Sequence, residues 1–355
     1  MRPATRLHLR RALRLFPPLW VAWTVAVVVG SRITDLRNAP FGVYDLVGAL
    51  IVSSIVAAGM AILETRPLSR RLLHGAPVRD MAVRALLYLA LVAAMVWVAW
   101  WLLPALMPWQ EPAYHGYTLR DVLREGRVRW FSLWLLGASF LITYFLHLRL
   151  VMGRRHLVAL FLGRYRYPVV EDRYFLFVDL VGSTATAERL GPLDFTHYKH
   201  DFFTDLSLPT ERTDGQIIQY VGDEVMLSWP RAPHAERADP LRWLALAREA
   251  IGERHDYYVR RYGEAPRFRA GLHVGEVVVA EVGDLRRDIV YSGDTVNAAA
   301  RLLQACRHEG VDALVSEAAW RSFPAAFRQN WRPHRALELR GRGEAMGCYA
   351  YPAPS

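Results

Sequence analysis

The segments Phe177-Val178-Asp179-Leu180-Val181-Gly182-Ser183-Thr184 and Tyr220-Val221-Gly222-Asp223-Glu224-Val225 decide how this chain folds. The strand formers Tyr174 to Val178 run into Asp179, and the turn Gly182-Ser183-Thr184 predicts a helix starting near Thr184. Backbone N–H groups at such a start face an anion. Gln216 to Val221 and Glu224 to Trp229 read as the arms of a hairpin, with Gly222-Asp223 as its two-residue turn. Pairing that hairpin beside the first strand brings Asp179 and Asp223 to one edge. Two carboxylates there suit magnesium, which takes oxygen ligands and shares its shell with substrate phosphates.

A third constellation, Gly293-Asp294-Thr295-Val296-Asn297-Ala298-Ala299-Ala300-Arg301, reads as a helix start followed by Asn297 and Arg301. Residues four apart share a helical face. With this segment, with Gly271-Leu272-His273-Val274-Gly275-Glu276-Val277-Val278 and with the two aspartate segments, all in the same order, the chain resembles the class III nucleotidyl cyclases. These are the adenylate and guanylate cyclases, here of a membrane-anchored bacterial type. The resemblance covers roughly Glu171 to Tyr351.

The resemblance implies a set of roles. Asp179 and Asp223, with the Leu180 carbonyl, would hold two Mg2+ (or Mn2+) ions. These would lower the pKa of a ribose 3′-hydroxyl and hold the triphosphate of ATP or another nucleoside triphosphate. Gly182, Ser183 and Thr184 would lie against the phosphates. Asn297 would orient the ribose, and Arg301 would stabilise charge growing on the α-phosphate, a role suited to a planar, permanently charged guanidinium. Arg340, in Leu339-Arg340-Gly341-Arg342-Gly343, stands where the family often has a lysine on the terminal phosphates. The family works as a head-to-tail dimer, so a homodimer of this chain would build its active sites at the subunit interface.

Two departures bear on the base. Four residues before Asp223 the chain has Gln219 where adenylate cyclases commonly have Lys, and seven before Asn297 it has Val290 where they have Asp or Thr. Gln219 both donates and accepts hydrogen bonds, and Val290 does neither. Adenine is expected on family prevalence. A pyrimidine or relaxed-specificity cyclase stands as an alternative, and so does a catalytically silent membrane receptor that keeps the fold.

Outward from these motifs, composition divides the chain. Of its 355 residues 53% are hydrophobic, and the first 150 or so are much more apolar than the rest. Apolar stretches at about Leu15–Ser31, Leu46–Leu63, Ala85–Met107 and Trp130–Leu146 have the lengths of bilayer-spanning helices. Tryptophans in or beside them, such as Trp20, Trp23, Trp130 and Trp134, suit interfacial anchoring. Arginines cluster before the first stretch, between the second and third, and after the fourth, which puts both termini in the cytoplasm of a cell whose inner or plasma membrane holds the protein. Arg120, Arg124, Arg127 and Arg129 run against that pattern. No charged residue interrupts the stretches, which argues against a transport path.

The net charge of +10 is carried by arginines flanking these stretches, so membrane lipid is the expected partner and nucleic acid is not. Cys306 and Cys348 give no disulfide in a cytoplasmic domain. His197 and His200 lack the further ligands of a zinc site and read as surface residues.

The expected organisation is an α-helical transmembrane domain of four spans over 1–148, a juxtamembrane coupling helix or linker over 149–170, and an α+β, ferredoxin-like catalytic domain over 171–355. The linker helix is read as continuing the fourth span and stopping at Pro168. In the catalytic domain the pattern predicts a strand Tyr174–Leu180, helices at 184–190 and 193–208, the hairpin, and a long helix His234–Tyr262. Strands at 268–274, 276–282 and 288–291 follow, then the helix from Asp294, capped by that residue, and strands near 335–339 and 348–351. Helices are expected on one face of the sheet.

Overall fold

The computed structural model describes residues 3–34, 43–65, 126–284, 287–337 and 345–351, together with isolated positions between 83 and 94. Two compact units emerge, Met1–Met152 and Gly153–Ser355.

In the first unit, helices α1 (Pro3–Thr34), α2 (Val43–Thr65) and α3 (Gly126–Met152) contain three of the apolar stretches. The stretch at 85–107 lies, isolated positions apart, outside the described residues. Leu19, Trp23 and Val27 of α1 pack on Val56, Ala57 and Met60 of α2 and on Leu135 of α3. The indole N–H groups are used inside this bundle: Trp20 Nε1 donates to Ser54 Oγ at 2.9 Å and Trp134 Nε1 to the Ala26 carbonyl at 2.7 Å. Trp23 is fully buried, so at these positions the indoles bind helix to helix, while Trp130 is exposed. Among the described residues no helix is long and apolar enough to cross a membrane; the 23-residue α2 carries no charge between Asp45 and Glu64.

The second unit opens with α4 (Arg154–Phe161), which is separate from α3. The single helix expected from Arg149 to Tyr167 is broken at Gly153, whose φ of 78° leaves the helical region, and glycine is a weak helix former. Then come β1 (Val169–Leu180), α5 (Ser183–Asp205), α6 (Ser207–Arg212), β2 (Gln216–Val221) and β3 (Glu224–Pro230). The expected long helix is three pieces, α7 (Arg231–His234), α8 (Asp239–Glu253) and α9 (His255–Tyr262), and the two expected strands after it are one, β4 (Phe268–Val282). The unit closes with β5 (Asp288–Ser292), α10 (Asp294–Glu309), β6 (Ala313–Ser316), α11 (Glu317–Arg321), β7 (Arg332–Leu337) and β8 (Met346–Tyr351).

The strands form one sheet in the order β2-β3-β1-β4-β6-β8-β7, with β5 paired to β4. Only β4 and β6 run parallel among these pairs.

β1 explains why helices cover both faces and not one. Eight consecutive residues from Arg173 to Leu180 are buried, the mark of a strand covered on both sides. Tyr174, Leu176, Val178 and Leu180 pack with Phe202 of α5 and with Trp243, Leu244 and Tyr258 of α8 and α9. The alternate residues Phe175 and Phe177 pack on the other face with Ala299 and Leu303 of α10 and Ala159 of α4. Gly271 lets α10 lie directly on β4, since a Cβ there would sit 2.3 Å from the Leu303 backbone nitrogen.

Candidate active site

Register places the two aspartates. Asp179 pairs with Glu224 across β1 and β3, and Val221 pairs with Glu224 across β2 and β3. The two-residue turn Gly222-Asp223, with Gly222 at φ 64°, therefore lies against the end of β1. The structure brings together Asp179, Asp223 and Glu224.

The electrostatics of this edge are unbalanced. The Asp179 side chain is only 3% exposed. Burial pushes its carboxyl up, an Arg307 hydrogen bond and charge pull it down, and Asp223 pushes it up again, leaving it raised. Glu224 is raised by burial and then by the charges of Asp179 and Asp223, against Arg307. Carboxylates crowded this way resist sharing charge unless a cation joins them.

Arg307 and Glu224 escaped the sequence reading. Arg307 Nη2 donates to Asp179 Oδ2, and the pairing raises the guanidinium above its ordinary range. It stands six residues after Arg301, roughly 120° away around the helix, and a basic residue in a last turn ordinarily reads as a partner of the helix dipole. A pairing of β1 with β3 in register was the only signal for Glu224.

The donor set fits a hard divalent cation. Asp179 and Asp223 offer oxygens, and Leu180, whose side chain is in the core, has only its backbone carbonyl to give. Among the described residues no group of three or more His, Cys, Asp or Glu side chains is set to hold a metal ion. A cation here would complete its shell with backbone, water or substrate oxygens, as magnesium does.

Beside Asp179, Gly182 precedes α5, and no side chain caps that helix. Gly182 and Thr184 are exposed and Ser183 is half-buried, so first-turn N–H groups remain open to an anion.

Asn297 and Arg301 follow the Gly293 turn on α10. The cap position is Gly293, not Asp294, which is the first residue of the helix; Thr295 Oγ1 ties the helix start to the Glu276 carbonyl at 2.7 Å. Asn297 is exposed, and Arg301 is half-buried, its enclosed Nη1 without a partner among the described residues. Arg307, not Arg301, is the cation that reaches Asp179 of the same chain. Cys306 lies behind this face, fully buried, its thiol pushed up to about 12 chiefly by burial.

Gln219 and Val290 are both exposed, and Val290 pairs with Ala280. Their chain neighbours Ile218, Ile289 and Tyr291 pack in one cluster with Phe175, Phe177 and Met226. Both positions thus border a common apolar face. Arg340 and Arg342 lie outside the described residues.

Residues 169–350 match the family described as the adenylate and guanylate cyclase catalytic domain. Adenylate cyclase 2 of Rhizobium meliloti is 37% identical over 62% of this chain and 61% of its own length. Adenylate cyclase of Anabaena cylindrica is 26% identical over 50% of this chain and 36% of its own. The chain thus spans less than two thirds of either relative. Among solved structures, a bacterial light-regulated adenylyl cyclase superposes with a TM-score of 0.51 at 18% identity, covering 63% of this chain and 65% of that one, a likeness of fold.

Proposed function

This chain belongs to the adenylate and guanylate cyclase catalytic domain family, and from that premise we propose that it is a nucleotidyl cyclase converting ATP to 3′,5′-cyclic AMP and pyrophosphate. The observation that carries the reading is the pair Asp179 and Asp223, held at one sheet edge with more negative charge than Arg307 balances. Two divalent cations bound there would supply Lewis acidity toward the ribose hydroxyl and the phosphates. Asp179, Asp223 and the Leu180 carbonyl hold them; the open first turn of α5, at Gly182 to Thr184, receives phosphate oxygens.

Asn297 positions the ribose and Arg301 the α-phosphate. The roughly 120° between Arg301 and Arg307 around α10 supports a division of labour, in which Arg307 serves its own chain's carboxylates while Asn297 and Arg301 serve those of a second copy. A homodimer then holds complete sites at its interface, with Arg340 on the terminal phosphates. Mixing Asp223→Ala with Arg301→Ala subunits restores part of the activity that each lacks. Dimers that form and stay inactive would contradict the shared site.

Adenine follows the names of the bacterial relatives. Gln219 keeps hydrogen-bonding capacity, but Val290 presents only methyl groups, which favours relaxed choice among bases. Incubation with each of the four ribonucleoside triphosphates and Mg2+ or Mn2+, with products identified by mass, tests both readings. No cyclic product from any of them leaves a silent nucleotide-binding receptor.

The same reading anchors the chain in a bacterial inner membrane through four spans, with lipid as partner and both termini cytoplasmic. The apolar stretches and their flanking arginines support it. Release of the protein from membranes by alkaline carbonate would refute it.

A further inference from the structure

Arg307 is tied to Asp179, yet its side chain is 55% exposed while that of Asp179 is 3% exposed. The guanidinium enters from solvent to reach a nearly enclosed carboxylate, and the same carboxylate is the one the cation site needs. Asp223 and Glu224 add negative charge to this edge, and the positive charge of Arg307 opposes it at both Asp179 and Glu224. Asp179 Oδ2 cannot be directly bound to Arg307 and at the same time give that lone pair to a metal ion.

We propose that Arg307 is a tethered counter-ion of the cation site, which a divalent metal displaces from Asp179, so that the residue sets metal affinity in the nucleotide-free enzyme. The inference rests on Asp179 and Asp223 being the metal ligands. α10 places the group without adding a ligand: its long, solvated stem swings away at little cost, and the freed guanidinium stays beside the triphosphate's negative charge. Before metal arrives, Arg307 keeps the acidic edge from standing unbalanced. Its removal therefore has two opposite signatures, a tighter grip on metal and a less stable metal-free protein.

The test is direct Mn2+ binding to the purified full chain without nucleotide at pH 8, read by electron paramagnetic resonance of free Mn2+. Arg307→Gln and Arg307→Met, which drop the charge and keep the stem, should bind Mn2+ about five-fold more tightly, the upper end of what an ion pair with its cation in solvent carries. Arg307→Lys, which keeps the charge, should stay near wild type. In EDTA both neutral variants should melt below wild type, and saturating Mn2+ should close that gap. Neutral variants that bind Mn2+ no tighter than wild type would overturn the inference while leaving the cyclase reading intact. Wild type that binds no Mn2+, or binds it equally after Asp179→Asn, would instead overturn the reading beneath it. With more than half of the Arg307 side chain in solvent, loss of fold in both neutral variants is itself contrary to a displaceable group.

Discussion

Two pairs of aspartates in the cyclase unit differ in the company they keep. Asp205 has a side chain 8% exposed, not far from the 3% of Asp179, and burial raises both carboxyls. Asp205, however, accepts from Tyr258 Oη and Arg254 Nη1, each at 2.5 Å. Its neighbour Asp201 accepts from Tyr257 Oη at 2.8 Å and Tyr262 Oη at 2.7 Å. The pair thus ties α5 to α9 and to Arg254 just before it, and is well supplied with donors. Among the described residues Asp179 has one donor, Arg307, and two acidic neighbours. Burial and a raised pKa do not separate site from scaffold; the supply of donors does.

That contrast fails if the pairs respond alike to mutation. Asp223→Ala should abolish cyclase activity, well beyond the roughly 10–100-fold that loss of a supporting partner of a metal ligand costs. Its melting temperature in EDTA should not fall, because the change relieves charge repulsion on Asp179 and Glu224. A variant that loses fold along with activity would put Asp223 in the scaffold.

Arg301→Ala should reduce kcat by roughly 10²–10³ with little change in melting temperature. Its enclosed Nη1 has no partner among the described residues, so truncation breaks no hydrogen bond seen there. Steady-state kinetics beside a thermal melt decides it. A large fall in stability would mean that Arg301 is satisfied within its own chain.

Asp205→Ala inverts the pattern. Leaving Tyr258 Oη and Arg254 without their acceptor should cost roughly 2–3 kcal/mol, seen as a melting temperature lowered by about 6 °C. Residual activity per folded molecule should stay near wild type, and a kcat collapse in protein that remains folded would break the comparison from the other side.

Much of this was legible in sequence, and the gaps have physical causes. The hairpin bounds, its Gly222-Asp223 turn and the start of α10 follow from local turn chemistry, which needs no partner to be read. β4 was read as two strands because Gly275 looks like a break. The strand continues because β1 pairs with it from Val169↔Val279 to Leu180↔Phe268, and Gly275 serves instead to admit Thr295, whose Oγ1 would lie 2.7 Å from a Cβ there. The helix expected from His234 starts only after Ala238, which takes φ 49°, and α8 gives way to α9 at Arg254, positions the apolar period conceals. β6, four residues long, has no period to detect. Arg307 is the instructive omission: Asn297 and Arg301 share a face that spacing reveals, whereas the reach of Arg307 to Asp179 exists only once Gly271 has seated α10 on the sheet.

The smallest effects concern pH, where two carboxyls should act with opposite sign. For Glu171, burial pushes the carboxyl up, but hydrogen bonds from Arg173 and Tyr165 and the charges of Arg173 and Arg164 outweigh it and leave it lowered. Its contribution to stability is complete above the unfolded value of about 4.3 and is lost as pH falls below that toward the folded value. Asp205 is left raised, burial outweighing Tyr258 and Arg254. The folded state therefore takes up its proton first, and stability declines as pH rises from the unfolded value of about 3.9 to the folded one, then levels. In urea titrations between pH 3 and 6, Glu171→Gln should remove part of the rise of stability with pH. Asp205→Asn should remove a fall and make the remaining rise steeper. Slopes that change in the same direction in both variants would mean that burial does not outweigh the donors of Asp205, and a raised carboxyl would no longer be compatible with a place in the scaffold.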